Sequence, residues 1–539
     1  MSQTKYIFFY KPGSSNSTGR NCVALFNFRC IAQLFFLTVF ALVYCDCLAQ
    51  NPLVLRRAQF KHYVDRFNTM EDEPITQTIP NSEAWNWMQQ NIPLLETPDK
   101  SLEEMFYFRW WTLRKHIKET PQGFVFTEFL VERSYADKYN LISSALGHHI
   151  YESRWLHNKK YMDDNLRIWY RGNEGKPLKR LRFYSSWNLD AIWNRYLVNK
   201  DEALLQEFFP DFIQDYEAWE FEKRYSKGLF WQYDVRDAME ETISGGRKER
   251  NLRPSINSYM YGNAVALSSM AALQKDQAAV SALYQKKADS IKTLTQQRLW
   301  SDRDSFFEVE KEKGDTLANV MEEIGFIPWY FNLPDENYSK AWIKLMDSKH
   351  FNAPIGITTA DRSHSGFRTH GCCKCEWDGA IWPFATSQTL TAMANLLNNY
   401  NQKIVSKTDY FTQLKKYELS QHRDGKPYIG EYMDEKTGHW LTDDKRGRYY
   451  NHSTFNDLII TGLIGLRPRA DNVVEINPLL PSKTWDWFCL DNILYHGKII
   501  TIVWDKNGKK YKKGKGLSVW ADGKKVASSS KLTRVLGNM

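Results

Sequence analysis

Ile256-Asn-Ser-Tyr-Met-Tyr-Gly-Asn-Ala-Val-Ala-Leu-Ser-Ser-Met-Ala-Ala272 is followed, after a break of five residues, by Ala278 to Leu299. Both runs carry apolar side chains at three- and four-residue spacings, the period of helices that bury one face. Two such runs across a short break read as a helical hairpin. Upstream, Ser186 to Val198 and Glu202 to Lys223 show the same texture. Downstream it recurs at Ser339 to Met346, Trp382 to Leu397, Ile404 to Ser420 and Thr454 to Leu463. Strands do not alternate with these helices in the way that signals a parallel sheet. A short solenoid repeat is absent as well. A succession of hairpins needs mutual burial, which a closed ring of inner and outer helices or an open solenoid would supply. Periodicity alone does not separate those two.

The flanks differ in texture. Residues 50 to 105 read as an irregular approach segment punctuated by Pro80, Pro93 and Pro98, with an aromatic-rich helix beginning at Phe106. Gly123 to Leu130 reads as extended, and Gly147-His-His-Ile-Tyr-Glu-Ser-Arg-Trp155 as either a substrate subsite or a buried polar network. After Arg467-Pro-Arg469 come short β-type runs, Val473 to Ile476, Trp487 to Leu490, Gly497 to Trp504 and Gly516 to Trp520. Asp505-Lys-Asn-Gly508 and Ala521-Asp-Gly523 supply turns between them. The expected organisation is a leader over 1–49, the approach segment over 50–105, a helical domain over 106–466 and a small β module over 467–539.

Composition fits a large carbohydrate-handling domain: 15% of the 539 residues are aromatic, including 20 Trp, and 42% are hydrophobic. The net charge of +9 gathers partly in Lys506 to Lys515, and no basic stripe interleaved with aromatics appears elsewhere, which argues against a nucleic-acid partner. Ile31 to Tyr44 is too short an apolar run for a confident membrane span. With basic residues before it and Cys47-Leu-Ala49 after it, the run reads as a secretory signal peptide cleaved before Gln50. An uncleaved anchor, or a lipid on Cys45 or Cys47, is the alternative. The expectation is a periplasmic or secreted protein with no stable membrane span after signal removal. Cys372, Cys373 and Cys375, with His364 and His370 upstream, fit no zinc spacing closely, so buried thiols or one local disulfide are expected rather than a metal, and no cofactor.

The loop before the first quoted helix carries the chemistry. Gly228-Leu-Phe-Trp-Gln-Tyr-Asp-Val-Arg-Asp-Ala-Met-Glu-Glu-Thr-Ile-Ser-Gly-Gly246 places Asp234, Asp237, Glu240 and Glu241 among Trp231, Tyr233 and Arg236. Aromatic rings stack on the apolar faces of a sugar, and a carboxyl in such surroundings can have its pKa raised enough to donate a proton. A solvated acidic loop is the plain alternative. Two later stretches favour the first reading. Cys375-Glu-Trp-Asp-Gly-Ala-Ile-Trp-Pro-Phe384 interleaves Trp377 and Trp382 with Glu376 and Asp378, and Tyr428-Ile-Gly-Glu-Tyr-Met-Asp-Glu-Lys-Thr-Gly-His-Trp440 holds Glu431 beside Tyr432.

Taken together these stretches resemble the six-hairpin glycosidases, mainly α proteins built as an (α/α)6 toroid, in the branch with processing α-glucosidase I, trehalase and mannosylglycerate hydrolase. Asn257-Ser-Tyr-Met-Tyr261, Trp377-Asp-Gly-Ala-Ile-Trp382 and Glu431-Tyr-Met-Asp-Glu-Lys-Thr-Gly438 are similar to that branch's motifs and follow their order. Asn477-Pro-Leu-Leu-Pro481 through Tyr495-His-Gly497 is similar to the β cap of related helical-toroid enzymes. The chain departs from the branch at the acidic loop, which lacks Glu-Ser-Gly-x-Asp, and at Asp378, where an arginine is usual. Some relatives bind calcium; no acidic calcium loop is legible here.

The resemblance implies an inverting hydrolase acting on an α-linked glucoside, mannoside or related oligosaccharide, with one carboxylic acid protonating the leaving oxygen and one carboxylate activating water. On that footing Asp237 is the expected general acid, Asp234 the fallback and Glu431 the general base. Trp231, Tyr233, Trp377, Trp382 and Tyr432 would line the sugar subsite, and Arg236, Glu376 and Asp378 would hold hydroxyls. The rivals are a polysaccharide lyase or epimerase on a helical toroid and a non-catalytic glycan-binding protein.

Overall fold

The computed structural model describes residues 54–370 and 375–539. The leader, Cys372 and Cys373 lie outside the described residues.

Six inner elements follow one another around a ring: Leu146–Ser153, Asn188–Asn199, Pro254–Ala272, Glu323–Phe331, Pro383–Asn399 and Leu458–Leu463. Each of the first five packs on the next, and the last packs on Pro383–Asn399. The ring closes through Glu152, whose buried carboxylate accepts the backbone N–H groups of Phe455 (3.2 Å), Asn456 (2.9 Å) and Asp457 (3.1 Å). One side chain of the first inner helix thereby supplies acceptors for the otherwise unpaired donors at the start of the last. Arg154 and Trp155 add bonds to Asp457 at 2.9 and 2.7 Å. The structure is thus a closed toroid, the alternative that periodicity could not select.

Outer helices Glu202–Lys223, Ala278–Arg298 and Lys407–Ser420 pack on inner ones, Lys160–Arg171 packs on the strand Gly123–Phe126, and Lys100–Lys115 packs against Lys407–Ser420. Their starts are written locally: Asp99 and Asp201 accept from backbone N–H groups of the first turn, and Ser406 with Asp409 makes a capping box. Inner helices can approach closely because of two glycines. A Cβ on Gly147 would lie 2.3 Å from the Trp187 ring, and one on Gly262 2.2 Å from Phe331.

Glu323–Phe331, a 3-10 helix with Pro328 inside and every residue buried, has no polar face and so no periodic signal in the sequence. The last inner element is a π-helix. Gly147 to Trp155 forms a buried polar network: His149 bonds the Asn451 carbonyl at 2.7 Å, and Glu152 and Arg154 close the ring.

The β module is an antiparallel sheet of Trp487–Tyr495, Lys498–Asp505, Gly516–Ala521 and Lys524–Ser529, with hairpin turns at His496-Gly497 and Asp522-Gly523, all four turn residues at positive φ. Its outer edge is supplied by the segment that precedes the helical ring. Leu94–Glu96 pairs with Trp487–Tyr495 in the register Leu94↔Asp491, and Leu55 N–H donates to Asp491 at 2.9 Å. The approach segment is therefore ordered, with helices Lys61–Asn68 and Ala84–Asn91 before that strand. Among the described residues no helix is long and apolar enough to cross a membrane.

Candidate active site

The loops that lead into the inner helices converge on one cavity of about 470 Å3. Glu128, Tyr135, Arg180, Phe183, Tyr184, Arg236, Glu240, Trp382, Glu431, Arg446 and Tyr450 line it. Two of the inner helices begin with proline at the first position, after Arg253 and Trp382. Proline's Cδ clashes with the N–H and Cβ of the residue before it and so holds that residue extended. Arg253 (φ −108°, ψ 139°) and Trp382 (φ −114°, ψ 120°) are so held.

In the acidic loop the four carboxylates part company. Asp237 is fully buried beneath the loop, where Arg253 Nε donates to it at 2.8 Å and the Ser255 hydroxyl donates to the same oxygen. Asp234 is buried too, and its Oδ1 accepts its neighbour Val235 N–H at 2.5 Å. Burial pushes its carboxyl up, against the opposing pull of Arg253. Neither aspartate lines the cavity. Glu240 does. Ala238 and Glu241, at φ 60° and 67°, turn the backbone sharply on either side of the Met239-Glu240 pair, and Glu322 anchors the far end through the Ser244 N–H at 3.0 Å. Burial pushes Glu240 up to about 7, with Asp234 adding to the rise and Arg247 and Arg446 opposing it.

The second carboxyl arrives on another loop. Glu431 is buried, with Oε1 accepting from Arg446 Nη2 at 2.7 Å while Oε2 makes no hydrogen bond among the described residues. Burial pushes it up to about 7, Arg446 opposes, and Glu240 adds to the rise. A third carboxyl, Glu128, accepts from the Tyr450 hydroxyl and, at 3.0 Å, from Ser144 Oγ. Burial pushes it up to about 8.

The loops are stitched together. Trp377 N–H donates to the Glu240 carbonyl at 3.3 Å, and Ile381 and Met433 exchange two backbone bonds of 3.0 Å. Trp382 is stacked between Trp377 (4.6 Å, 22°) and Tyr432 (4.8 Å, 8°). With both faces covered, Trp382, which alone of the three lines the cavity, turns an edge to it and does not offer a ring face to a sugar.

The structure brings Glu431, Arg236 and Trp382 to the cavity and sets the other expected residues elsewhere. Trp231 and Tyr233 form an edge-to-face pair, with Lys223 4.0 Å from the Trp231 ring centre. Glu376 pairs with Arg368, and Asp378 Oδ2 accepts the His370 N–H at 2.9 Å. The sequence reading passed over Glu128, Tyr135, Tyr184, Arg446 and Tyr450. Glu128 alone had a legible signal, a carboxylate inside the apolar run Phe124 to Leu130. Cys375 lies at the cavity as a free thiol, and among the described residues no group of three or more His, Cys, Asp or Glu could hold a metal.

A ring of six inner helices with carboxyls converging from its entry loops is the architecture of the (α/α)6 glycoside hydrolases. Residues 138–453 match the mannosylglycerate hydrolase MGH1-like glycoside hydrolase domain, and the chain belongs to that family. Residues 466–527 match the glycosyl hydrolase family 65 C-terminal domain. A solved chain titled "Sialidase" is 56% identical, with a TM-score of 0.88, over 90% of this chain; the match spans 45% of that chain's length. An uncharacterized conserved protein from Thermus thermophilus (TM-score 0.51, 10% identical, 66% of this chain and 98% of that one) is similar in fold. So is an α-L-rhamnosidase of Streptomyces avermitilis complexed with L-rhamnose (0.53, 11%, 80% and 38%).

Proposed function

We propose that the protein is an exported, inverting glycosidase in which Glu240 is the general acid and Glu431 the general base. The observation that supports this most is the unequal pairing of two carboxyls facing one cavity. Glu431 is ion-paired to Arg446, which favours its charged form, whereas Glu240 has no ion pair among the described residues, so of the two it is the better holder of a proton. With Oε1 engaged by Arg446, Glu431 has Oε2 left to orient a water. The Glu240 proton passes to the glycosidic oxygen as the bond from the anomeric carbon breaks. Water attacks that carbon from the opposite face and gives its proton to Glu431. Asp237 takes a positioning role, holding the Glu240 loop through Arg253. The family resemblance supports an α-linked mannoside or glucoside as the sugar cleaved.

The test is turnover on a panel of α-mannosides, α-glucosides, α-L-rhamnosides and sialosides, with the product anomer followed by NMR. Glu240→Gln and Glu431→Gln should each lose roughly 10²–10⁴-fold in kcat while melting like the parent, and a leaving group that needs no proton should restore Glu240→Gln but not Glu431→Gln. Asp237→Asn should lose stability as well as turnover, by about 3 kcal/mol, because it leaves Arg253 buried without its partner. Full turnover in Glu240→Gln on a poor leaving group would sink the assignment, as would an Asp237→Asn protein as stable as the parent.

A further inference from the structure

Three arginines line the cavity, and among the described residues only Arg446 of the three has a carboxylate partner. Arg180 and Arg236 form no ion pair within 4.0 Å among the described residues. Both lie over one ring, Phe183, with guanidinium carbons 4.8 and 3.3 Å from its centre. Arg180 Nη1 donates to the Tyr135 carbonyl, and the Arg236 carbonyl accepts the Ser185 N–H at 2.9 Å, so side chain and backbone are held. Arg236 is pulled down by burial and further by Arg180, while Tyr184 and Glu240 pull it up. Two cations gathered on one aromatic ring, neither with an ion pair among the described residues, repel one another, and a ligand that brings an anion relieves that repulsion. Arg236 shares the acidic loop with Glu240, and the group that donates a proton faces the leaving oxygen. The arginine pair therefore sits toward the leaving group, whereas the Arg446–Glu431 pair belongs to the water side.

We propose that Arg180 and Arg236 form a leaving-group subsite for a sugar acid, gripping its carboxylate while Phe183 and Tyr184 flank its ring. This rests on Glu240 being the acid, but its test does not need turnover. Titration of the full chain with glucuronate and galacturonate, with their methyl esters and with the neutral hexoses, followed by ligand-observed NMR, reads the charge alone. The free acids should bind at least about tenfold more tightly than the esters, since charged hydrogen bonds are worth more than neutral ones. The advantage should shrink with added salt and fall to roughly unity in Arg180→Gln and in Arg236→Gln. Equal binding of acid and ester by the parent protein, or no saturable binding of either, overturns the proposal whatever the variants do. So does a preference for sugar phosphates or sulfates over the carboxylates. Loss of turnover in Glu240→Gln with no acid preference would leave the glycosidase reading standing and this one refuted.

Discussion

At the residue scale the cavity is a problem in proton storage. Glu128, Glu240 and Glu431 are held near 8, 7 and 7 by burial, against about 4.3 for an unfolded glutamate. Between those values the folded chain binds more protons than the unfolded one, so the stability these groups contribute is full at low pH and is lost as pH rises through 7 to 8. Buried His116 and His149, held down to about 3 and about 4, act in the opposite sense and cost stability only as pH falls below about 6.5. Denaturant midpoints should therefore drop between about pH 6.5 and 9, and Glu128→Gln should drop less. A flat profile in the parent protein, or an unchanged drop in the variant, contradicts this. The sequence showed that Gly228 to Gly246 and Gly430 to Tyr432 carry acids among aromatics. It did not show which acid faces inward, because Asp234, Asp237 and Glu240 differ only in partners contributed from afar, Arg253 and Ser255 at the start of a helix and Glu322 just before the next inner element.

At the element scale the device that matters is the closure between the first and last inner helices. Glu152 accepts three backbone donors of one helix start, and no residue near Phe455 in sequence replaces it. Glu152→Ala should cost about 3 kcal/mol, since it strands buried N–H groups and removes a charge-assisted cap. The check is a denaturation midpoint. A loss under about 1 kcal/mol would show that ring closure depends on packing alone. Helices such as Glu202–Lys223 and Ala278–Arg298 were legible from their period, whereas Glu323–Phe331 was not. That element is apolar all round because it sits between two inner helices, and a uniformly buried element has no amphipathic stripe to read.

At the scale of the whole molecule, the segment from Leu55 to Glu96 meets the C-terminal β module. The edge strand Leu94–Glu96 completes the C-terminal sheet, and Asp491, fully buried, joins Leu55 N–H to the Thr501 hydroxyl at 2.6 Å. Removing residues 467–539 should thus fail to yield a folded toroid, because Leu94, Leu95 and the helix faces behind them would lose their cover. The readout is the soluble yield and far-ultraviolet circular dichroism of the truncated chain. A soluble, cooperatively melting toroid would show that the module is an independent lid.

Periodicity and turn residues, both local properties of the chain, determined that the protein is a series of helical hairpins followed by a β module, and motif order along the chain pointed to a glycosidase. Closure of the ring, the pairing of N-terminal and C-terminal strands and the choice of Glu240 over Asp237 were decided only in three dimensions. Burial and ion pairing depend on which distant residues become neighbours, and no stretch of sequence records its neighbours across the ring.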